Sequence, residues 1–502
     1  MINRKGHFFN DQRMIEGPWA AFERDFARLL LFQGFDDVRL VNGPGDKGAD
    51  IIGAINNELW VFQSKYRKNA EIAPKAVSEA VGAAEFYGAD RIGVVISRAP
   101  TESFRRKVAE YKDLGYDIDV FGPKKISDLA NNSSFYPPSR KDLREEYQVE
   151  VAEDFFDGLT QRGKSLIVLA TGLGKTVIMS EVVTKLFDDQ RLDHERVLVV
   201  AHTRALVRQL IREFWDQLPK YIPTHMLMGG EFPSFFKGIT FATIQSVKNN
   251  IIKLPKFDAV FIDEAHHAGA PSFIQSIDKL SPKMLGGLTA TPWRGDGFNI
   301  ELLFKKADAK VGIAEGLAHG FLSKTDYRLI ADDIDWEFVQ NKSKNRYSVK
   351  QLNKRLLIPE RDEKAASIIN KIFKNEKRKS AIVFSPSIDH GTQFAGWLNH
   401  VGLKAACIFS SQKSREQDLI MSKFKAGQFD VVVTVDMFNE GVDIPDVDLV
   451  VFLRATHSRR IFVQQLGRGL RVSANKDKVI VLDFVSDLRR MALVLDLDKS
   501  VK

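Results

Sequence analysis

The chain has 502 residues, 44% of them hydrophobic and 27% charged, with a net charge of +8 and one cysteine, Cys407. That length suits about three domains with packed cores, and a single cysteine excludes an intrachain disulfide and a cysteine-based zinc site. No apolar run approaches the roughly 20 residues of a membrane-spanning helix, and the amino terminus lacks the apolar core of a signal peptide, so no membrane role and a cytoplasmic location are expected.

Charge is unevenly placed. Residues 1–138 carry 19 basic and 19 acidic side chains, so the whole excess, 54 against 46, lies beyond them. Attraction to a nucleic-acid backbone is largely electrostatic, which makes the later region the better candidate for gripping a polyanion. A slightly basic solvated surface would give the same total.

Along the chain, Trp19, Phe22, Phe26, Leu29 and Leu30 recur at helical spacing and predict a helix over 18–32, followed by Gly34 and a strand through Val38 and Leu40. Asp50–Ile55 and Leu59–Phe62 flank Asn56-Asn57, a hairpin signal. A small-residue helix around Ala76–Tyr87 and a buried strand, Arg91–Ile96, complete a small α/β domain. The polar stretch Asn131–Ser139, with its Pro-Pro pair, reads as a linker. Beyond it, short apolar runs alternate with amphipathic helices: Leu166–Leu169, Val197–Ala201, Ala259–Ile262, Ala381–Phe384, Val431–Thr434 and Val479–Leu482. These predict two doubly wound parallel sheets, with Arg294 to about Asp326 crossing between them. The expected domains are 1–138, 139–300 and 301–502, the first folding separately.

Three segments carry nucleotide chemistry. Leu166–Ala170 ends at a turn with Gly172 and Gly174, whose backbone can fold around phosphate oxygens; Lys175 supplies positive charge and the Thr176 hydroxyl can ligate magnesium. The segment departs from G-x-x-x-x-G-K-[ST], because Leu169 stands at the first glycine position. Asp263 closes a strand, where it would hold magnesium while Glu264 orients or deprotonates the attacking water. In Gln464–Arg471, Arg468 and Arg471 are spaced to share a helical face and could reach a γ-phosphate, although surface salt bridges are the ordinary fate of such a pair.

A second constellation lies upstream. A two-residue turn at Asn56-Asn57 pairs Ile55 with Glu58 and places Asp50 across from Gln63, with Lys65 on the same face. Asp50 and the Gln63 oxygen are hard ligands suited to magnesium, and Lys65 could position water and stabilise phosphorane charge. The plain alternative is a cross-strand ion pair between Asp50 and Lys65.

The region from about 140 to 490 resembles a superfamily 2 DEAH-type helicase core with two RecA-like domains, close to restriction-enzyme motor subunits. Asp263-Glu-Ala-His266 carries that motif, and Leu288–Trp293, Phe384-Ser385, Asn439–Pro445 and Gln464–Arg471 match further motifs. By resemblance Tyr147-Gln148 reads adenine, Gln464 joins the nucleotide site, and Ala201–Arg204 and Ala242–Gln245 contact a nucleic-acid strand. Glu145-Glu146 departs from the family, which has proline beside Tyr-Gln. Phe22-Glu23, Gly43–Asp50 and Gln63-Ser-Lys65 resemble the Mrr-like branch of the PD-(D/E)XK nucleases, in which Gln replaces the second acid. That resemblance makes Glu23 a further active-site carboxylate, where a solvated helix residue is the plain alternative.

Together these imply an ATP- and Mg2+-dependent enzyme that moves along double-stranded DNA, base-modified or not, and cuts it in defence against foreign DNA. Homo-oligomers or partner defence subunits stay open. Two other readings stand beside it: a repair helicase whose first domain only binds DNA, and an ATP-switched nucleic-acid sensor.

Overall fold

The computed structural model describes residues 3–41, 48–144, 147–290, 300–304, 307–330, 359–412, 414–435, 447–453 and 478–484. These form two compact units: residues 1–166, 176–288 and 300–308 make one, and 167–175, 289–299 and 309–502 the other.

The amino-terminal sheet is built from β1 (Asp36–Leu40), β2 (Ile51–Ile55), β3 (Glu58–Lys65), β4 (Arg91–Ile96) and β5 (Ile118–Phe121), in that order across the sheet. Asn56 and Asn57 both have positive φ, 52° and 66°, the conformation a two-residue hairpin turn requires. The turn fixes the register, pairing Ile55 with Glu58 and Ile51 with Phe62. From β3 to β5 the pairing is parallel.

Two short helices precede this sheet. Asn10 caps α1 (Asp11–Glu16) by accepting from the Arg13 amide, and α2 (Trp19–Phe32) follows Pro18. Phe22 and Phe26 on α2 are fully buried, each contributing about 2 kcal/mol of burial free energy. A third helix, α3 (Lys75–Tyr87), covers β3 and β4, packing Val77, Ala80 and Val81 against Val94 and Ile96.

The second sheet holds β6 (Lys164–Leu169), β7 (Arg196–Ala201), β8 (Thr224–Leu227), β9 (Gly238–Thr243), β10 (Ala259–Ile262), β11 (Met284–Thr289) and β12 (Ala309–Val311). Their order is β12-β6-β11-β10-β7-β9-β8. Strand β10 pairs in parallel with both β7 and β11, and its buried Ala-Val-Phe-Ile run reflects coverage on both faces. The stretch expected to cross between domains contains β12, which pairs with β6; three residues are too few for periodicity to reveal.

The third sheet holds β13 (Thr325–Leu329), β14 (Ala381–Phe384), β15 (Ala405–Phe409), β16 (Val431–Val435), β17 (Leu449–Phe452) and β18 (Val479–Asp483), ordered β13-β18-β17-β14-β16-β15. Every pairing in it is parallel. The fold is therefore α/β throughout: a small mixed sheet followed by two parallel, RecA-like sheets.

One feature departs from the expectation of a separately folding first domain. Within the first unit, α1 and α2 dock on β8 and its flanks through three buried arginines. Arg13 forms an ion pair with Asp25 at 2.6 Å and donates to the Thr224 carbonyl at 3.1 Å. Arg28 donates to the carbonyls of Ile222 at 2.7 Å and Pro219 at 3.1 Å. Arg24 grips Glu231 through both guanidinium nitrogens, one at 2.7 Å. The predicted linker is tied down as well, for Lys220 Nζ donates to the carbonyls of Asn131 and Ser133, and Lys220 N to that of Phe135.

Candidate functional site

The hairpin register brings the amino-terminal residues together. Asp50 lies just before β2, and its amide donates at 2.9 Å to the carbonyl of Phe62, the residue that pairs with Ile51. Asp50 Oδ2 accepts from Gln63 Nε2 and from the Ser64 amide, each at 2.6 Å. Gln63 is 2% exposed and its Oε1 has no hydrogen-bond partner. A buried carbonyl oxygen left so costs about 1–3 kcal/mol, which a cation ligated there would offset. The donor set, a carboxylate and an amide oxygen, is the hard-oxygen kind that suits magnesium.

Glu23 lies on α2 and is 4% exposed, so the solvated-helix alternative does not hold for it. Lys65, at the end of β3, makes its ion pair with Glu79 of α3, Nζ to Oε2 at 2.8 Å. Sequence spacing gave no sign of Glu79, because helix and strand meet only through the packing of α3.

The phosphate-loop residues leave the carboxyl end of β6. Gly172 and Gly174 take positive φ values of 95° and 81°, which L side chains rarely adopt. A helix, Lys175–Asp188, starts directly after this turn with Thr176 in its first turn, so its free amides face the loop. Lys175 Nζ donates to the Leu169 carbonyl at 3.1 Å.

Asp263 leaves the carboxyl end of β10, two places from β6 in the strand order, and is 9% exposed. Glu264 takes a left-handed conformation, φ 47°, unusual for a non-glycine residue and typical of strained functional positions. Its Oε2 lies 3.3 Å from His266 Nδ1, and His266 is 1% exposed. Gln148 opens the helix Gln148–Arg162; its Oε1 accepts from the Arg144 amide at 2.9 Å and its Nε2 donates to the Tyr147 hydroxyl at 3.2 Å. Gln464, Arg468 and Arg471 lie outside the described residues.

The two segments flagged as strand contacts converge. His202, Arg204, Thr243 and Gln245, with Gly229 and Gly230, line a groove of about 390 Å³. The His202 ring stacks on His267 at 4.0 Å, next to His266, so the groove adjoins the Asp263–His266 turn. The Gly229-Gly230 pair was missed, although two adjacent glycines are a turn signal.

Two other polar clusters have structural roles. Asp193, His194 and Asp258 are close enough to share a metal ion, but Asp258 caps the amides of His194 and Arg196, and Lys283 pairs with Asp193. Ser385, His390 and Asp362 form a chain with contacts of 2.7 and 3.1 Å, yet all three are buried, so it clasps the helix Pro359–Asn375 to β14 rather than meeting a substrate. Among the described residues no helix is long and apolar enough to cross a membrane.

Residues 16–116 match the family described as restriction endonuclease, of the Mrr catalytic type, residues 141–294 match the type III restriction enzyme res subunit, and residues 363–473 match the helicase conserved C-terminal domain. The putative ATP-dependent helicase IRC3 of Saccharomyces cerevisiae is 26% identical over 359 residues, covering 68% of this chain and 51% of that protein. The DNA 3'-5' translocase XPB2 of Sulfurisphaera tokodaii is 27% identical over 376 residues, covering 67% of this chain and 80% of that one. The chain spans about half the length of the yeast relatives it matches, 51% of one and 58% of the other.

Two solved structures share the fold. The ATP-dependent type ISP restriction-modification enzyme LlaBIII bound to DNA has a TM-score of 0.56 at 16% identity, covering 95% of this chain and 39% of its own. A fragment of a putative HsdR subunit of a type I restriction enzyme from Vibrio vulnificus has a TM-score of 0.53 at 18% identity, covering 88% of this chain and 84% of its own. Segment by segment, the chain is similar to an Mrr-type restriction endonuclease domain, then to the res subunit of type III restriction enzymes, then to the conserved C-terminal domain of helicases.

Proposed function

We propose that the protein is an ATP-dependent DNA translocase or helicase that is also a magnesium-dependent DNA endonuclease, acting in the cytoplasm in restriction of foreign DNA. The observation that carries the nuclease half is the contact between Asp50 and Gln63, with a buried Gln63 Oε1 that lacks a hydrogen-bond partner. A module that only bound DNA would have no use for that arrangement.

In this reading Asp50 and Gln63 Oε1, with Glu23 as a further carboxylate, hold magnesium, which when bound supplies Lewis-acid polarisation of the scissile phosphate. Lys65 orients the attacking water and offsets developing negative charge. For ATP, Gly172, Gly174 and Lys175 receive the phosphates, Thr176 and Asp263 hold the nucleotide's magnesium, and Glu264 orients the hydrolytic water. Gln148 and Gln464 contact the nucleotide, and Arg468 and Arg471 stabilise transition-state charge from the third domain, in a division into 1–138, 139–300 and 301–502. The groove through His202, Arg204 and Gln245 tracks the DNA strand.

Plasmid DNA, with and without base methylation, incubated with the full chain, magnesium and either ATP or no nucleotide tests the whole reading. Magnesium-dependent scission that EDTA stops is the expected result. DNA-stimulated ATP hydrolysis without any scission would instead favour a repair helicase or a sensor.

A further inference from the structure

The nuclease reading leaves a gap in charge: where PD-(D/E)XK sites place a second acid, this chain has the neutral Gln63. We propose that Glu79, on α3, is the positioning carboxylate of the nuclease site, holding the Lys65 ammonium by charge and supplying the negative charge that Gln63 lacks. The inference rests on the nuclease reading above.

Two independent features place Glu79 there. The first is the contact itself: Lys65 Nζ lies 2.8 Å from Glu79 Oε2, close enough for an ion pair but without hydrogen-bond alignment. The second is the approach of α3 to the turn that carries Asp50. Gly48 has φ +92°, and a Cβ there would sit 2.7 Å from the Glu79 backbone carbonyl. A side chain at 48 would push α3 away, so glycine two residues before Asp50 is what lets Glu79 reach Lys65.

The pair is a poor stabiliser. The Lys65 and Glu79 side chains are 35% and 28% exposed, and partly exposed ion pairs add little to stability because water screens them. Lys75 also reaches Glu79, at 3.5 Å, but from a position 84% exposed, so it leaves the carboxylate available to Lys65. What the pair does accomplish is geometric. Lys65 has a long flexible stem, and a fixed negative charge on the neighbouring helix restricts where its ammonium points. Glu79 acts through Lys65 and need not touch DNA.

The test uses the full chain. Single-turnover cleavage of plasmid DNA with magnesium and DNA-stimulated ATP hydrolysis are measured for the wild type, Glu79→Gln, Glu79→Ala and Glu79→Asp. In metal-free, DNA-free protein, acylation of Lys65 by an amine-reactive reagent is followed by mass spectrometry. Glu79→Gln and Glu79→Ala are expected to cleave about 10- to 100-fold more slowly with KM for DNA and ATPase unchanged, and Glu79→Asp to recover part of the rate. Lys65 should be acylated faster in Glu79→Gln than in the wild type. Wild-type cleavage by Glu79→Gln, or equal Lys65 acylation in the two proteins, overturns the proposal and leaves the nuclease reading standing. A wild-type chain that never cleaves overturns both.

Discussion

At Asp50 a single carboxylate oxygen accepts two hydrogen bonds of 2.6 Å, one from a side-chain amide and one from the backbone, so its position is set by the hairpin rather than by a flexible loop. Asp50→Ala should therefore abolish DNA cleavage while ATP hydrolysis persists, because the phosphate loop draws on other residues. A gel assay showing unchanged scission would remove Asp50 from the site. In the phosphate loop, Lys175 rests on the Leu169 carbonyl and is the cation placed to receive a phosphate. Lys175→Ala should lower ATP hydrolysis by about 100-fold or more with the fold intact. Hydrolysis near the wild-type rate, with an unchanged circular-dichroism spectrum, would contradict the nucleotide assignment.

At the scale of elements, α2 is unusual in burying Glu23, Arg24, Asp25 and Arg28 together. A helix with only one covered face would leave such residues in water. Here one side of α2 meets its own sheet through Phe26, whose ring packs on Phe62 of β3 and Phe121 of β5, while the arginines reach carbonyls and a carboxylate around β8. The Arg13–Asp25 pair is the centre of this contact, at 0% and 1% exposure, with a Phe235 ring 4.8 Å from the guanidinium. Burial pushes the Asp25 carboxyl up and Arg13 opposes that shift. Removing one partner from such a pair leaves an uncompensated charge, so Arg13→Ala should lose about 3–5 kcal/mol of stability. Urea unfolding of the full chain checks this, and a loss below about 1 kcal/mol, the range of exposed pairs, would mean the pair is solvated.

For the molecule as a whole, the docking of the amino-terminal helices on β8 makes two buried histidines contributors to acid stability. Burial holds His7 and His225 neutral, pulling each from 6.5 to about 3, with Arg28 and Lys220 adding to the effect on His7, and Arg13 and Arg24 on His225. The unfolded chain takes up these protons near pH 6.5 and the folded chain does not. The stability they contribute is thus complete above pH 6.5 and is lost progressively as pH falls toward 3. The raised Asp25 carboxyl works in the opposite sense. The melting temperature should fall between pH 7 and pH 5, less so in His225→Asn; a flat profile would contradict buried neutral histidines. The same contact bears on excision. Residues 1–138 alone would expose Arg13, Arg28 and Phe8, whose partners include Thr224, Ile222 and Lys220. The excised segment should melt well below the full chain, and equal melting temperatures would show that it folds alone.

The amino-acid sequence by itself determined the elements and much of the local chemistry. Largely apolar runs gave Arg91–Ile96, Ala259–Ile262 and Ala381–Phe384 at their observed bounds, because strands buried on both faces read as near-continuous apolar stretches. The Asn56-Asn57 turn did the same for the contact of Asp50 with Gln63, since a two-residue hairpin leaves one register. Tertiary structure alone decided what crosses between elements. The Lys65 ion pair runs to α3 and not across the hairpin, the Asn131–Ser139 stretch is tied to Lys220, and β12 pairs with β6, a strand far upstream in sequence. Arg24 and Arg28 lie one turn apart on α2, and arginines are mostly exposed in folded proteins. Their burial depends on carbonyls and a carboxylate about 200 residues later, and no local pattern encodes a partner at that separation.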